Sequence, residues 1–473
     1  MYNNCDNIYF IGAGGIGMSS LVQYFLINGK NVSGYDKVES VITRKLNNLG
    51  ALIHYIENVD LIPEFFKNKK NTLVVVTPAI PYNNLEFVYF RKHGFNILKR
   101  AQLLGEITKT KKLICVSGSH GKTTISSMIA HFLNESKIGC SAFLGGIPKN
   151  FGNNLLLSNK SNLTVIEADE YDYSFHNFSP FMAVISSIDV DHLDVYNTEE
   201  NYVKSFKNFA SLIREDGVLL IEERINITFN NLQKNVKIYR YGRSFDKNSQ
   251  GNNKPDFYAQ NVRIYGKKIQ FDFVVPKGII KNIQMSPPIE INIINGIAAL
   301  AIGWLNGVTN KELKQSMMSF VGVKRRFDFH IKTDRLILID DYAHHPYELK
   351  SSIISVRALY PDRKLTVIFQ PHLYSRTKNF YKEFALSLSL ADEVILLPIY
   401  PAREKPIRNV SSKMILDLLT ISQKQLVQFS ELLRFVSKQN VDVVLVVGAG
   451  DVELLIEPLK TLLINRYNFC FKA

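Results

Sequence analysis

The chain has 473 residues, of which 46% are hydrophobic and 21% are charged. This composition excludes a disordered or fibrous protein, and the length predicts about three domains of ordinary size. Lysine and arginine outnumber the acidic residues by 57 to 43, which gives a net charge of +14. Because the lysines are spread along the whole chain, we expect a solvated basic surface or an anionic small substrate, and no nucleic-acid partner.

Cysteine spacing and the first residues bear on the compartment. The four cysteines, Cys5, Cys115, Cys140 and Cys470, show no CxxC spacing, which argues against a zinc site or a disulfide framework. The opening MYNNCDNIYF lacks the basic and apolar regions of a signal peptide, and no run of about 18 apolar residues occurs. We therefore expect a cytoplasmic protein without membrane insertion. We also expect a monomer or a weak homodimer.

The first segment has the pattern of a strand, a glycine loop and a helix. An apolar run at 8–11 precedes GAGGIG and a periodic stretch, and a second strand over 31–35 ends at Asp36. Asp36 lies about 20 residues beyond the loop, which is the spacing of a Rossmann-like domain. Glycines there let a diphosphate approach a helix N-terminus. The loop alone leaves open a bound NAD or FAD, another nucleoside diphosphate, and a plain structural turn.

A second unit of the same kind begins at Leu113 with LICVSGSHGKTTISSMIAHFL. Its loop is a shortened phosphate loop, in which Lys122 would meet the β/γ-phosphates and the Thr123 hydroxyl could ligate Mg²⁺. An NAD-dependent oxidoreductase has no use for a second anion loop, so the pairing favours ATP-driven chemistry. The predicted ATP-binding residues of the loop are Gly118, Ser119, His120, Gly121, Lys122, Thr123 and Thr124.

Acidic motifs end the next two predicted strands. EADEYD starts at Glu167, and DVDHLD follows at 189–194 and includes His192. Carboxylates beside a phosphate loop are suited to Mg²⁺, although a solvated loop is the alternative interpretation. Further on, residues 236–286 alternate apolar and polar, which predicts antiparallel strands added to a parallel core. A helix is predicted over 292–305.

A third set of strands follows GVKRRF, and each strand ends in polar or glycine residues. The segments are LILIDDYAHHP, KLTVIFQPH, DEVILLPIY and DVVLVVGAGD. Ligands of open parallel sheets lie beyond the carboxyl ends of the strands, so two histidine clusters at such ends indicate a site. Arg376 could form paired hydrogen bonds with a carboxylate.

These segments predict an α/β protein of three domains. Residues 1–110 form a Rossmann-like domain, 111–323 a phosphate-loop domain with added antiparallel strands, and 324–473 a second Rossmann-like domain.

The motifs GSHGKTT, EADEYD, DVDHLD, GVKRRF, DDYAHHP, FQPHLYSRT and IYPARE occur in this order. From Gly12 to about Asp451 the chain resembles the Mur ligase family. The resemblance implies that the three domains bind a UDP sugar, ATP and an incoming amino acid, in that order. Within the family it implies the branch that joins L-alanine to the lactyl carboxylate of UDP-N-acetylmuramate through an acyl phosphate, with ATP and Mg²⁺, in peptidoglycan precursor synthesis.

The same resemblance implies roles for single residues. Lys122, His344 and Arg376 would be catalytic, with His344 a candidate for the general base, and Thr123, Glu167 and His192 would hold the metal. ATP would also contact Asn295, Arg326 and Asp341, and the amino acid would lie among Tyr342, His344, His372 and Arg376. The residues implied near the UDP sugar are Gly12, Gly14, Gly15, Gly17, Asp36, Thr77, Ala79, Ile80 and Arg100.

Three alternatives stay open, and one departure from the family is visible. A ligase that recycles murein tripeptide onto UDP-N-acetylmuramate shares EADEYD, but the continuation YSFHNFSPFMAVI lacks its usual charged insert and favours L-alanine. The others are an NAD-dependent oxidoreductase and a non-catalytic nucleotide-binding regulator. The residues before Asn292 read PPIEI, where many members have a glycine-x-histidine.

Overall fold

The computed structural model describes residues 4–190, 193–243, 254–265, 268–285, 291–402 and 404–467. Their strands form three separate sheets of five, ten and six strands. The predicted α/β class with three domains is therefore confirmed. The domain boundaries at 110 and 323 stay predictions.

The first sheet is parallel throughout and has the order β3-β2-β1-β4-β5. Its strands are β1 (Asn7–Ile11), β2 (Asn31–Tyr35), β3 (Leu52–His54), β4 (Thr72–Val76) and β5 (Asn96–Lys99). Its helices are α1 (Ile16–Ile27), α2 (Val41–Asn48), α3 (Leu85–Lys92) and α4 (Arg100–Thr108). Successive strands wind first to one side of β1 and then to the other. The gap between the carboxyl ends of β1 and β4 is therefore where a ligand of such a sheet binds.

The second sheet is mixed, in the order β15-β14-β13-β12-β11-β10-β6-β9-β7-β8. Its strands are β6 (Lys112–Ser117), β7 (Ser141–Phe143), β8 (Leu155–Leu156), β9 (Leu163–Glu167), β10 (Met182–Ile185), β11 (Val218–Glu222), β12 (Lys237–Gly242), β13 (Phe257–Tyr265), β14 (Lys268–Val275) and β15 (Gly278–Met285). Its helices are α5 (Lys122–Glu135), α6 (Leu193–Tyr196), α7 (Glu199–Ser211), α8 (Ile291–Leu305) and α9 (Asn310–Ser319). The helix predicted over 292–305 is confirmed within one residue.

The antiparallel strands expected over 236–286 are only partly present. β14 and β15 pair antiparallel with their neighbours, whereas β12 runs parallel to β11 and the first residues of β13 run parallel to β12. An alternating pattern predicts a strand with one buried face but not its direction. Two successive strands are parallel when the connecting segment crosses back to the end of the sheet where the first strand began. They are antiparallel when a short hairpin joins them.

The third sheet has the order β16-β17-β21-β18-β19-β20, with β16 antiparallel to β17 and the other pairs parallel. Its strands are β16 (Asp328–Lys332), β17 (Ile337–Asp341), β18 (Leu365–Phe369), β19 (Glu393–Leu396), β20 (Gln423–Leu426) and β21 (Val443–Val447). Its helices are α10 (Pro346–Leu359), α11 (Tyr374–Leu388), α12 (Lys413–Leu418), α13 (Leu432–Val436) and α14 (Ile456–Arg466).

The chain divides into two compact units. The first comprises residues 1–288 and 292–321 and holds the first two sheets, and the second comprises residues 289–291 and 322–473 and holds the third sheet. Within the first unit one hydrophobic cluster continues from the first sheet to the second. Polar contacts join the same two parts: the side-chain amide of Asn154 donates to the carbonyl oxygen of Ile16 at 2.6 Å and accepts from Gln23 at 3.1 Å. Among the described residues, no helix is long and apolar enough to cross a membrane.

Candidate functional site

The first glycine loop joins β1 to α1 at the gap between β1 and β4. Gly12 has a φ of +88°, and a Cβ there would lie 2.4 Å from Cγ2 of Thr77, the residue that follows β4. Helix α1 begins after Gly15 without a side-chain cap. Since the first N–H groups of a helix have no partner within it, this N-terminus is suited to an anion.

Asp36 at the end of β2 is used within the loop itself. Its Oδ2 accepts the N–H of Gly14 at 2.7 Å, and its Oδ1 accepts the N–H of Val38 at 3.2 Å. In a dinucleotide-binding Rossmann domain the acid at this position hydrogen-bonds a ribose hydroxyl. Because both oxygens accept backbone N–H groups, Asp36 shapes the loop.

The other residues assigned to the UDP sugar surround the same loop. A Cβ at Gly12 would lie 3.5 Å from the side chain of Ile80. A Cβ at Gly17 would lie 3.1 Å from the side chain of Arg100. Ala79 is exposed in the turn that the N–H of Ile80 closes on Thr77. The structure therefore brings the predicted residues of the first domain together at one end of α1.

The second glycine loop joins β6 to α5. Gly118 and Gly121 have φ values of +132° and +81°, in the region that favours glycine. Gly121 precedes α5, which has no side-chain cap. The loop lies between neighbouring strand ends, because β6 is flanked by β9 and β10. A side chain at Gly118 would meet Ser186 after β10.

Lys122 opens α5 with its ammonium group directed at acceptors inside the protein. Its Nζ donates to the Gly118 carbonyl oxygen at 2.7 Å and to the two carboxylate oxygens of Glu170 at 3.0 and 2.8 Å. Burial opposes the charged form of Lys122, but Glu170 and two neighbouring acids outweigh burial and raise its pKa above the ordinary lysine value. These acids therefore favour a positively charged Lys122 next to the uncapped helix.

Thr123 and Glu167 fit the oxygen donors of a hard cation. The Thr123 hydroxyl donates to Oε1 of Glu167 at 3.1 Å. Oε2 of Glu167 is buried and has no hydrogen-bond partner in the described part of the chain. It fills the space beside Gly145, where a Cβ would lie 2.2 Å from it. No group of three or more His, Cys, Asp or Glu side chains that could hold a metal occurs among the described residues, so water or phosphate would complete the coordination of Mg²⁺.

The remaining predictions for the second domain fall at the same loop, with one exception. The N–H of His120 donates to Oγ of Ser187 at 2.8 Å, and the Ser119 hydroxyl lies 2.8 Å from that of Tyr202. Asn295 on α8 is buried, and its Oδ1 would lie 2.8 Å from a Cβ at Gly121. Thr124 is half-buried in the first turn of α5. The predicted metal ligand His192 lies outside the described residues.

In the second unit, the two histidine clusters meet at the carboxyl ends of β17 and β18. The rings of Tyr342 and His344 are 5.3 Å apart, and those of His344 and His372 are 6.0 Å apart. The ring of Tyr400, after β19, stacks on His372 at 5.7 Å. Arg376 is buried in the first turn of α11. The four residues assigned to the amino acid thus follow β17 and β18, two strands of one sheet that β21 separates.

Arg326 and Asp341, assigned to ATP, are also near each other in this unit. The guanidinium groups of Arg326 and Arg325 each lie 5.1 Å from the centre of the Tyr342 ring. Asp341 accepts the N–H of Phe327 at 3.3 Å and the hydroxyl of Ser352. Burial raises the pKa of Asp341. The hydrogen bond from Ser352 and the charge of Arg326 partly offset this rise. Its carboxylate is thus held within its own domain.

The sequence assigned Glu170 only a shared role, as one of the EADEYD carboxylates suited to Mg²⁺, and it assigned no role to Tyr400. Glu170 lies in EADEYD, three residues after Glu167, and the pattern alone does not tell which of its acids faces Lys122. Tyr400 lies in the IYPARE motif, and its contact with His372 depends on β18 and β19 being neighbours. Both residues lie in motifs that the sequence shows, but the side chains that they contact are set by the tertiary structure.

Comparison with known proteins gives one consistent result. Models described as "Mur ligase family, catalytic domain", "Mur ligase middle domain" and "Mur ligase, glutamate ligase domain" match residues 7–112, 116–303 and 325–450. A UDP-N-acetylmuramate–L-alanine ligase of Parabacteroides distasonis is 55% identical over 464 residues, which cover 98% of each chain.

Solved structures agree with these matches. The UDP-N-acetylmuramate–alanine ligase MurC of Thermotoga maritima superposes with a TM-score of 0.81 and 26% identity, covering 98% of this chain and 99% of its own. A murein peptide ligase of Psychrobacter arcticus has a TM-score of 0.72 and 21% identity over 97% and 99% of the two chains, which shows a shared fold alone. With three matching domain models and relatives of this similarity, the chain belongs to the Mur ligase family.

Proposed function

We propose that this protein is an ATP-dependent ligase that joins L-alanine to the lactyl carboxylate of UDP-N-acetylmuramate, a cytoplasmic step of peptidoglycan precursor synthesis. The observation that carries the proposal is the surroundings of Lys122. Its largely buried ammonium group stands at an uncapped helix start. Glu167 is one of the acids near this group, and its Oε2 lacks a partner among the described residues. The relatives named above supply the identity of the two substrates.

The chemistry requires activation because a carboxylate does not react with an amine at neutral pH. The leaving group would be an oxide ion. In the proposed reaction a carboxylate oxygen attacks the γ-phosphorus of ATP, the bond to the β,γ-bridging oxygen breaks, and ADP leaves. The amine of L-alanine then attacks the acyl carbon, and phosphate departs with the oxygen that made the attack.

Two anions meet in the first step, so the site must supply positive charge where it develops. Lys122 and the N-terminus of α5 would hold the β- and γ-phosphates. Thr123 and Glu167 would hold Mg²⁺, which when bound would offset the repulsion between carboxylate and triphosphate. We assign Arg326 and Asp341 of the third domain, together with Asn295, to the same nucleotide.

The other two substrates are assigned to the two remaining clusters. The loop from Gly12 to Gly17, with Thr77, Ile80 and Arg100 around it, would take the diphosphate of the UDP sugar. Arg376 would pair with the carboxylate of L-alanine. His344 is the candidate base: a proton on Nδ1, shared with the Tyr342 carbonyl oxygen at 3.0 Å, makes Nε2 the basic nitrogen.

The competing functions have less support. A murein peptide ligase shares the fold at 21% identity, whereas a relative with 55% identity is named for L-alanine. The three family models that match the chain all describe Mur ligase domains, which supports a ligase over an NAD-dependent oxidoreductase.

An assay of ADP release tests the proposal against the recycling ligase and the non-catalytic regulator. The protein is given Mg²⁺-ATP and UDP-N-acetylmuramate with L-alanine, with L-Ala-γ-D-Glu-meso-diaminopimelate, or with no amine. We expect turnover with L-alanine that exceeds that with the tripeptide by at least tenfold. Faster turnover with the tripeptide would assign the recycling reaction, and binding of UDP-N-acetylmuramate without ADP release under any condition would assign a non-catalytic regulator.

A further inference from the structure

The ammonium group of Lys122 already has an anionic partner within the protein. In the described part of the chain its three acceptors are the Gly118 carbonyl oxygen and both oxygens of Glu170, at 2.7 to 3.0 Å. The side chain of Glu170 is 1% exposed and that of Lys122 is 14% exposed. A carboxylate that binds through two oxygens therefore occupies the place at Lys122 that a phosphate oxygen would take.

Burial makes this pair interdependent. A buried ammonium or carboxylate without its partner is strongly destabilising, because neither can be solvated by water. The pair thus keeps Lys122 ordered when no nucleotide is bound. It also opposes nucleotide binding, since a phosphate that takes the ammonium must break the contact with Glu170.

We propose that Glu170 is a placeholder for phosphate: it holds Lys122 in the nucleotide-free protein and releases the ammonium when a triphosphate binds. Glu170 is in this sense a positioning residue that sets nucleotide affinity. The inference rests on the proposed ATP site at Lys122.

Asp169 provides a matched control in the adjacent position. It carries the same charge in the same motif, yet no hydrogen bond joins it to Lys122 in the described residues. Its Oδ1 instead accepts the N–H of Tyr171 at 3.3 Å. Asp169→Asn therefore removes one negative charge near the loop without removing a partner of Lys122.

The first test measures the dissociation constant of ATP by calorimetry in EDTA, at fixed ionic strength, for the unmodified protein, E170Q and D169N. E170Q should bind ATP about tenfold more tightly, a shift within the usual range for competing groups. D169N should change the constant by at most about twofold, because it breaks no contact with Lys122. Unchanged or weaker binding by E170Q, which a purely structural role predicts, would overturn the proposal. So would an equal gain in D169N, since overall charge would then explain both.

A structure of the unmodified protein with a bound non-hydrolysable ATP analogue provides the second test, which holds even if E170Q does not fold. Lys122 Nζ should lie within about 3 Å of a phosphate oxygen, with at least one of its two bonds to Glu170 broken. Analogue bound at Lys122 with both bonds intact overturns the placeholder alone. Analogue bound away from the loop overturns the proposed ATP site.

Discussion

At the scale of single residues, Lys122 illustrates how the surroundings decide the charge of a buried group. Burial alone would favour a neutral amine, but the acids around the loop keep the pKa of Lys122 above its usual value. The acids around the loop therefore favour the charged form of Lys122 in the nucleotide-free protein.

Lys122→Ala should lower the turnover number for ADP release by roughly 10² to 10³, the scale of removing one electrostatic stabiliser. The measurement is steady-state ADP release at saturating substrates. Lys111→Ala is the matched control, because Lys111 is an exposed lysine just before β6. Turnover of K122A within about threefold of the unmodified enzyme would contradict the role given to this ammonium group.

Asp340 lies on β17 directly before Asp341. Its carboxyl group is buried, and its pKa is raised to about 7. Burial is the main cause of this rise in pKa. The charge of Arg325 partly offsets the rise, and the nearby acids add to it. In the unfolded chain the group ionises near 3.8. The folded protein thus retains a proton that the unfolded chain releases. The charged or titratable groups that face it are Arg325, Asp328, His330, Asp341 and Glu453.

The sign of the pH dependence follows from this shift. The stabilisation by Asp340 is fully present below pH 3.8 and is lost as the pH rises through about 7. The free energy of unfolding, measured with denaturant, should therefore fall between pH 5 and pH 8 in the unmodified protein. The fall should be smaller in Asp340→Asn, which has no carboxyl to titrate at this position. Asp334→Asn, at an exposed position, should behave like the unmodified protein. Equal losses in all three would show that Asp340 does not titrate in this range.

At the scale of elements, the sequence predicted the candidate site best where a loop has its own composition. Both glycine loops precede helices without side-chain caps, whereas α2 and α9 begin with Ser40 and Thr309 as caps. Glycine spacing and hydrophobic period are local properties, so they can be recognised in one sequence. The direction of β12 could not be predicted, because it is set by the path of the preceding connection.

Helix α4 makes a close approach that the sequence does not reveal. A Cβ at Gly105 would lie 2.3 Å from the carbonyl oxygen of Asn177, at the end of the 3₁₀ segment Tyr171–Asn177 that follows Glu170. Gly105→Ala should lower the free energy of unfolding by about 1–3 kcal/mol, the usual cost of overpacking. Denaturant unfolding measures this, with the adjacent exposed Glu106→Ala as control. An unchanged unfolding midpoint for G105A would show that the helix can shift freely.

At the scale of the whole molecule, the restart of the strand-loop-helix pattern predicted three α/β domains, but strand order could not be predicted. β21 lies between β17 and β18 in the sheet, although it is the last strand in the chain. β10 is the neighbour of β6 in its sheet, although β7, β8 and β9 come between them in the chain. These placements depend on long-range packing that no local pattern encodes. They determine which predicted residues meet: Gly118 is next to Ser186, for example, because β6 and β10 are neighbours.

The central claim is that the lactyl carboxylate itself attacks the γ-phosphate, and following its oxygen tests this most directly. UDP-N-acetylmuramate with ¹⁸O in both carboxylate oxygens is converted with unlabelled ATP and L-alanine, and the released phosphate is analysed by mass spectrometry. An acyl phosphate requires one ¹⁸O atom in each phosphate formed, with the other retained in the amide. Released phosphate without ¹⁸O would contradict the account.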